Sequence, residues 1–194
     1  MIELKGIDVQ FDSSSVLKNF TLSVAKGDHI ALMGPSGSGK TTVLKLIAKL
    51  LKPNAGDVQI SSDKVSYMFQ EPRLVPWLTA AENVNLVLGD NPESLPEAIK
   101  WLKKLGLEND TYKYPHELSG GMQQRVALAR ALAYNGDILL LDEPFSAVDE
   151  NMANELISLL KTHTQDKTVV LVTHSTAHAK SFADTIYVIK KQNS

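Results

Sequence analysis

The sequence contains no cysteine and no long apolar run, and both absences narrow the range of functions. Without thiols the chain can form neither disulfides nor thiolate metal sites, which points to a reducing compartment such as the cytoplasm. Apolar runs such as 138–141 and 169–172 are far shorter than the roughly 20 residues of a membrane-spanning helix. The opening segment, MIELKGIDVQF, lacks the basic and apolar regions of a signal peptide. We therefore expect neither export by that route nor insertion into a membrane.

An excess of charge of either sign is also missing. The 20 Lys and Arg residues nearly balance the 22 Asp and Glu residues, which leaves a net charge of -2. Nucleic acids and anionic membranes attract strongly basic surfaces, so neither is an expected partner, and any membrane contact is expected to run through a protein. The length of 194 residues and the 43% hydrophobic content suit a single globular domain spanning 1–194.

The first third of the chain has the pattern of a sheet that surrounds one helix. The helix is expected after Gly39, with Leu50 and Leu51 on its apolar face. Strand-type runs separated by turn clusters are predicted at 2–11, 17–24, 29–33, 58–60 and 65–69.

The rest of the sequence predicts a helical insertion into an α/β core. Residues 72–135 have a helical pattern, with capping boxes predicted at Thr79 and Ser94. Continuous apolar strands then alternate with helices, which indicates a parallel sheet covered on both faces. We therefore expect a core made of 1–71 and 136–194, with a helical subdomain at 72–135.

A glycine-rich segment gives the strongest chemical signal. It fits the pattern G-x-x-x-x-G-K-[ST] between a predicted strand and a predicted helix, and it comprises Gly34, Pro35, Ser36, Gly37, Ser38, Gly39, Lys40 and Thr41. The glycines let backbone N–H groups and the helix N-terminus point at a phosphate group. Lys40 is then expected to reach the β- and γ-phosphates of a nucleotide, and the Thr41 hydroxyl to bind Mg²⁺. We call residues 34–41 the phosphate loop.

A predicted buried strand at 138–141 ends in two carboxylates, Asp142 and Glu143, followed by Pro144. In phosphate-loop enzymes such a strand supplies an aspartate on the metal side of the nucleotide. Glu143, one residue further, can act as the general base for an attacking water. Taken alone, Asp-Glu-Pro could also be a strand that simply ends in solvent. The phosphate loop upstream favours the catalytic interpretation.

The segment LSGGMQQR at 118–125, here called the signature segment, opens an apolar helix with a hydroxyl and two glycines. A helix that starts at Ser119, Gly120 and Gly121 offers N–H groups to an anion. Serine is also common as an ordinary helix cap. The two glycines argue against a purely structural role, because each weakens a helix interior by roughly 1 kcal/mol.

These motifs, followed by a later histidine, occur in the order found in the nucleotide-binding domains of ABC transporters, and the chain resembles that family over essentially its whole length. Met122 stands where the family most often has glutamine. The resemblance implies a RecA-like P-loop core with an N-terminal antiparallel β portion and an inserted α-helical subdomain. It also implies ATP and Mg²⁺, and a head-to-tail dimer in which Ser119, Gly120 and Gly121 of one chain close on the ATP of the other.

Further site residues follow from the resemblance position by position. Gln70 matches the glutamine that touches Mg²⁺ and the attacking water, and Asp149 matches the aspartate that supports the partner's site. Phe11 stands at the place of the aromatic that stacks on adenine, with a core phenylalanine as the rival interpretation. The implied catalytic residues are Glu143, His174, Lys40 and Gln70. The implied nucleotide contacts are Phe11, Val16, the phosphate loop and Thr42, and the implied metal ligands are Thr41, Gln70 and Asp142.

His174 matches the switch histidine that contacts the γ-phosphate in the family. The run that follows it, Ser-Thr-Ala-His-Ala-Lys, departs from the family pattern, which usually places an aspartate directly after the histidine. Without the family, His174 and His178 could be interpreted as a helical metal pair, but no motif supplies the third ligand that such a site needs.

The resemblance implies an ATP-binding and ATP-hydrolysing subunit that powers solute transport through a separate permease, at the inner face of the cell membrane. The stretch 69–79 looks most like importers of the nitrate, sulfonate and taurine type. An ABC ATPase of lipoprotein release or cell division is the alternative, whereas a phosphate-loop kinase has no use for a signature segment. Trp77 is expected either to bind the permease or to fold back as a hydrophobic staple on the helix capped by Thr79.

Overall fold

The structure is a computed structural model that describes residues 1–11 and 14–191. Its strands and helices follow one another as β1 (Ile2–Phe11), β2 (Ser14–Val24), β3 (His29–Met33), α1 (Lys40–Ile47), β4 (Ala55–Ile60), β5 (Val65–Met68), α2 (Ala80–Asn85), α3 (Leu95–Lys104), α4 (Gly120–Ala133), β6 (Ile138–Asp142), α5 (Glu150–His163), β7 (Thr168–Val172), α6 (Thr176–Phe182) and β8 (Thr185–Val188). Short 3₁₀ helices lie at Leu86–Leu88 and Pro115–Glu117. Both β2 and β4 begin three residues before their predicted starts.

The N-terminal strands form an antiparallel sheet in the order β2-β1-β4. Ile2 lies opposite Val24 on one side and Ile60 on the other. Leu4, Ile7 and the other inward-facing residues of β1 are buried. This sheet covers α1 and is the antiparallel β portion that the sequence predicted.

The second sheet is parallel, with the strand order β5-β6-β7-β3-β8. Every residue of β6 and β7 is buried, as expected for strands covered on both faces. Alternate side chains enter two different cores: Leu139 and Leu171 pack with the helices α2–α5, whereas Leu140 and Val170 pack with α1 and the antiparallel sheet. This two-sided burial fixes the strands whose carboxyl ends carry the candidate site.

The helices between β5 and β6 pack against one face of the parallel sheet and share its core. At the start of α2 the Thr79 hydroxyl accepts a hydrogen bond from Glu82 N (3.3 Å), and the Glu82 carboxylate accepts one from Thr79 N (2.7 Å). The capping box predicted at Thr79 is therefore present. Within residues 1–11 and 14–191, no helix combines the length and apolar character needed to cross a membrane.

Two local predictions were wrong. Helix α1 ends at Ile47, because Lys49 adopts a left-handed conformation (φ 57) and Leu50 N donates to Lys45 O (2.9 Å), which closes the helix C-terminus. Leu50 is consequently 60% exposed and is not part of the apolar face of α1. Ser94 makes no side-chain cap on α3, because its backbone is helical (φ -87, ψ -11) and its side chain is directed to Asn85, to which the hydroxyl donates (2.6 Å).

Candidate active site

The phosphate loop joins the end of β3 to the start of α1 and depends on glycine at two crowded positions. Gly34 has φ 149, and a Cβ there would lie 2.3 Å from the backbone oxygen of Ile189. Gly39 caps α1 in a left-handed conformation (φ 96), where a Cβ would lie 2.8 Å from the Leu17 side chain. Only glycine fits both positions without displacing its neighbours.

Lys40 is folded over the loop that precedes it. Its Nζ donates to the backbone oxygens of Gly34 (2.9 Å) and Pro35 (3.0 Å), and the residue is only 7% exposed. Burial lowers the pKa of Lys40, whereas the nearby carboxylates of Glu143 and Asp142 act in the opposite direction. The ammonium group is thereby held at the mouth of the loop, where an anionic ligand would meet it.

The loop and the end of β6 meet at a hydroxyl–carboxylate contact. Thr41 Oγ1 donates to Asp142 Oδ2 at 2.8 Å. Asp142 is 2% exposed, and burial raises its pKa even though the Thr41 hydrogen bond and the charge of Lys40 oppose the shift. Two hard oxygen atoms thus lie together in a shielded place, and that arrangement suits a divalent cation such as Mg²⁺.

Glu143 leaves β6 in an unusual conformation. Its φ of 53 places it in the left-handed region, which is costly for a residue with a side chain and is found preferentially at functional sites. A bond from Glu143 N to Val172 O (3.0 Å) anchors it to β7. The Glu143 carboxylate lies 3.3 Å from His174 Nε2, close enough for an ion pair but without the geometry of a well-formed hydrogen bond. Burial raises the pKa of Glu143, and the neighbouring His174 and Lys40 oppose that rise.

The raised pKa of Glu143 predicts that Glu143→Gln stabilises the ligand-free chain by an amount that depends on pH. Because the pKa is higher in the folded chain than in the unfolded one, the wild-type chain loses stability as the pH rises through the interval between the two values. Glutamine carries no charge to bury. We expect Glu143→Gln to melt at a higher temperature than wild type at pH 7–8, and the difference to shrink as the pH falls through the raised pKa.

Thermal melts at a series of pH values test this expectation. Glu155→Gln on the exposed face of α5 is the control for the same chemical change in solvent. A melting-temperature difference that stays constant across the pH series, or a less stable Glu143→Gln chain at neutral pH, would contradict it.

The carboxyl ends of β3, β6 and β7 enclose a cavity of about 300 Å³. It brings together residues that lie far apart in sequence, and most of the predicted site residues are among those lining it. The lining residues are Val16, Ser36, Gly37, Gly39, Lys40, Thr41, Thr42, Gln70, Asp142, Glu143, Val172 and His174.

Of the other predicted residues, Gly34, Pro35 and Ser38 belong to the phosphate loop but do not line the cavity, and Phe11, Ser119, Gly120, Gly121 and Asp149 lie elsewhere. Phe11 is 47% exposed, so it is not the core phenylalanine of the rival interpretation, and it does not line the cavity. Ser119 caps α4, where its Oγ accepts from Met122 N (3.3 Å). Asp149 caps α5 and accepts from Met152 N (3.0 Å).

His178 does not face His174 in a shared site. It lies on α6, where its Nε2 is 3.2 Å from the Glu150 carboxylate and its ring packs edge-on against Phe145. Across residues 1–11 and 14–191, no group of three or more His, Cys, Asp or Glu side chains is arranged to hold a metal ion. A metal in the cavity would therefore also need oxygen ligands of other kinds, such as hydroxyl, amide, phosphate or water oxygens.

Two positions with connecting roles were not identified from the sequence. Gln124 is buried in α4 and bonds the backbone after β6. Arg130, also on α4, donates to the backbone oxygens of Pro72 (2.8 Å) and Arg73 (3.0 Å), and so links the segment that follows Gln70 to this helix. The signal in the sequence was weak, because α4 carries four polar side chains and nothing in the sequence distinguishes Gln124 and Arg130 from the other two.

Comparison with known proteins shows which family the chain belongs to. Residues 17–146, which include the phosphate loop, the signature segment and the end of β6, match the ABC transporter family. The chain belongs to the ABC transporter family. This ABC protein is 43% identical over 192 residues to the aliphatic sulfonates import ATP-binding protein SsuB 1 of Shouchella clausii, covering 97% of the chain and 77% of that relative. It is 38% identical over 211 residues to the glutamine transport ATP-binding protein GlnQ of Escherichia coli, covering 98% and 88%.

Solved ABC cassettes have the same fold. A dimeric cassette in a post-hydrolysis state, bound to ADP and Pi, superposes with a TM-score of 0.91 at 34% identity, covering 100% of this chain and 97% of that one. A dimeric bacterial ABC transporter cassette gives a TM-score of 0.91 at 36% identity, covering 98% and 94%. The predicted fold class is confirmed, and the chain is an ABC ATPase.

Proposed function

We propose that this chain is the ATP-hydrolysing subunit of an importer and that it drives a solute through a separate membrane subunit. The observation that carries the proposal is the cavity in which the phosphate loop, Asp142, Glu143 and His174 converge. Relatives named as sulfonate import and glutamine transport ATP-binding proteins match nearly the whole chain. We further propose that the solute is an aliphatic sulfonate or a similar small anion, because several of these relatives are named for sulfonate import.

The phosphate loop binds the nucleotide. Its N–H groups and the N-terminus of α1 surround the phosphates, and Lys40 supplies a positive charge to the β- and γ-phosphates. Val16, which lines the cavity beside Gly39, contacts the nucleoside, and the exposed ring of Phe11 stacks on adenine from the C-terminal end of β1.

Thr41, Asp142 and Gln70 hold Mg²⁺ in the proposed site. The 2.8 Å contact between the Thr41 hydroxyl and the buried Asp142 carboxylate fits the ion, since oxygen atoms are the ligands that Mg²⁺ takes. An ion held there would supply positive charge to the phosphates of the nucleotide. Gln70 reaches the same cavity from the segment after β5.

Glu143 is the proposed general base. Its carboxylate lines the cavity opposite the phosphate loop and is held in place by its left-handed backbone and by β7. There it accepts a proton from the water that attacks the γ-phosphate. His174 and Lys40 stabilise the negative charge that develops on the transferred phosphoryl group.

A second copy of the chain, or a homologous ATPase subunit, completes each site. Ser119, Gly120, Gly121 and Asp149 do not line the cavity of their own chain, which supports a role across a dimer interface. A Cβ at Gly120 would meet no atom within 4 Å, so the first turn of α4 has room for a ligand. The solved relatives above are dimers.

The membrane partner is proposed to bind beside Gln70, which places the chain at the inner face of the cell membrane. Trp77 is 75% exposed in the segment that links β5 to α2, whereas Leu74 packs against the core. That exposure disfavours the alternative in which Trp77 folds back as a hydrophobic staple. An exposed indole seven residues after Gln70 suits a site for a permease segment.

Two measurements on the purified chain test the proposed function together. ATP hydrolysis should require Mg²⁺ and stop when EDTA is added. The tagged chain should also co-purify from its own membranes with an integral subunit. If the chain hydrolysed ATP with Mg²⁺ but co-purified with no membrane partner, it would still be an ABC ATPase, but the proposed role in transport would be wrong.

We expect Trp77→Ala to weaken assembly with the permease by roughly 1 to 3 kcal/mol, the range typical of an aromatic anchor at an interface. ATP binding should be unchanged, because Trp77 does not line the nucleotide cavity. Pull-down titrations measure the first quantity, and nucleotide titrations the second.

Val188→Ala is the matched control, because this apolar side chain is similarly exposed (68%) but lies on β8 at the far edge of the parallel sheet. Its partner affinity should equal that of wild type. Undiminished partner binding by Trp77→Ala, together with a lowered melting temperature, would assign Trp77 to the fold and exclude it from the interface.

A further inference from the structure

The side chain of Gln124 joins the first turns of α4 to the turn at 143–147. Gln124 is 3% exposed, and its Nε2 donates to the backbone oxygen of Glu143 (2.8 Å) and to Ser146 Oγ (2.9 Å). Its Oε1 accepts from Ala147 N (3.0 Å). A single amide thus makes three hydrogen bonds to the turn that begins at the proposed general base.

The two glycines of the signature segment have different surroundings. A Cβ at Gly120 would meet nothing within 4 Å. A Cβ at Gly121 would lie 2.5 Å from the backbone oxygen of Ala147, a distance that real Cβ atoms essentially never show. Gly121 is therefore required for the close approach of α4 to the turn at 143–147, whereas Gly120 leaves space at the helix N-terminus.

The conformation of Glu143 depends on such contacts. A glutamate with φ 53 is in a sparsely populated region, which persists only where the surrounding structure holds it. Its carbonyl oxygen accepts from both Gln124 Nε2 and Ser146 Oγ, the latter at 3.1 Å. Without the Gln124 amide, a buried carbonyl would lose a partner and the turn would lose the bond to Ala147 N.

We propose that Gln124 is a positioning residue that links the signature segment of a chain to the general base of the same chain. The inference rests on the proposed roles of Glu143 and of Ser119, Gly120 and Gly121 at the partner's ATP. In this arrangement Ser119, at the start of α4, faces the nucleotide bound by the partner chain. Gln124, further along the same helix, holds Glu143 of its own chain. Closure of one ATP site thereby sets the position of the base in the other site.

Mixed dimers test this link because they separate the two sites. Two differently tagged copies are co-expressed, and one of them carries Glu143→Gln. Only the site that contains the intact Glu143 can hydrolyse ATP, and the copy with Glu143→Gln supplies its signature segment. Hydrolysis is followed in a single turnover started with Mg²⁺, so that release of the unhydrolysed ATP from the other site does not limit the rate.

Gln124→Met keeps the length of the side chain and removes its three hydrogen bonds. In the copy with the intact Glu143, we expect it to lower the single-turnover rate about ten- to a hundred-fold, the loss typical of a misplaced reacting group. The affinity for ATP should change by less than about two-fold, since Gln124 does not line the nucleotide cavity. In the copy with Glu143→Gln, the same substitution should leave the rate within about two-fold of the parent.

Gln123→Met is the matched control on the same helix. Gln123 Nε2 donates to the backbone oxygens of Pro115 (2.8 Å) and Leu118 (3.2 Å), and so holds the segment before α4 without touching 143–147. Placed in the copy with the intact Glu143, it should not lower the rate of that site. A loss for Gln124→Met in the opposite copy, or equal losses in both, would overturn the link to Glu143.

A second variant and a second measurement cover the case in which Gln124→Met does not fold or the mixed dimer does not turn over. Gln124→Glu retains the acceptor for Ala147 N and loses both amide donations. Hydrogen exchange in the homodimer should then be faster at 143–147 in either variant, and unchanged exchange there would refute the proposal. If the Glu143→Gln homodimer hydrolyses ATP at the wild-type rate, the assignment of Glu143 as the base fails, which is a different result from a failure of the link.

Discussion

Glu143→Gln is expected to keep ATP binding and to reduce turnover at least about a hundred-fold, the lower end of what a general base contributes. The amide cannot accept a proton from the attacking water. It nevertheless has the size and shape of the carboxylate, and the backbone bond from residue 143 to Val172 is unaffected. ATP should therefore accumulate in a dimer that cannot hydrolyse it. Steady-state hydrolysis and gel filtration with ATP measure the two effects.

Glu150→Gln is the control for this experiment, because Glu150 has an exposed carboxylate on α5 and pairs with His178 outside the cavity. It should hydrolyse ATP at close to the wild-type rate. A Glu143→Gln chain that retained more than a few per cent of the parent rate would place the base elsewhere. A chain that lost ATP affinity as well would point to a structural role for Glu143.

The sequence predicted those parts of the site that are formed by residues close together in the chain. Strand β3 has its predicted bounds, and α1 begins directly after Gly39 as expected. A strand, a glycine-rich turn and a helix in succession leave few alternative geometries, because backbone conformation and hydrophobic periodicity act over a few residues. The same argument placed Asp142 and Glu143 at the end of a buried strand.

The parts that could not be predicted depend on contacts between distant segments. Gln124 and Ala147 meet only because α4 lies against the turn that follows β6, and nothing local to either residue indicates the bond. The close approach of Gly121 to the Ala147 carbonyl was likewise not predicted, because it joins two segments that are distant in the sequence. Ser94 begins a capping-box sequence, but its side chain is directed to Asn85 and makes no cap.

Ser119→Arg is expected to leave ATP binding to the isolated chain nearly intact and to abolish hydrolysis. Ser119 does not line the cavity of its own chain, so its loss should change the nucleotide affinity of a monomer by less than about two-fold. In the dimer, an arginine at this position would fill the open space beside Gly120, where we propose that the partner's γ-phosphate binds. Nucleotide titration of the monomer and steady-state hydrolysis of the dimer are the two measurements.

The cap at Ser119 complicates this variant, and a second substitution separates the two effects. Replacing the serine removes the hydrogen bond to Met122 N, which costs about 0.5–2 kcal/mol of stability. Ser119→Asp keeps a good cap but brings a negative charge to the place proposed for the partner's phosphate. If the signature segment acts across the dimer, both variants lose hydrolysis although only Ser119→Arg melts at a lower temperature. If hydrolysis follows the melting temperature instead, Ser119 is only a cap. A monomer whose ATP affinity falls as far as its rate would mean that the site is built within one chain.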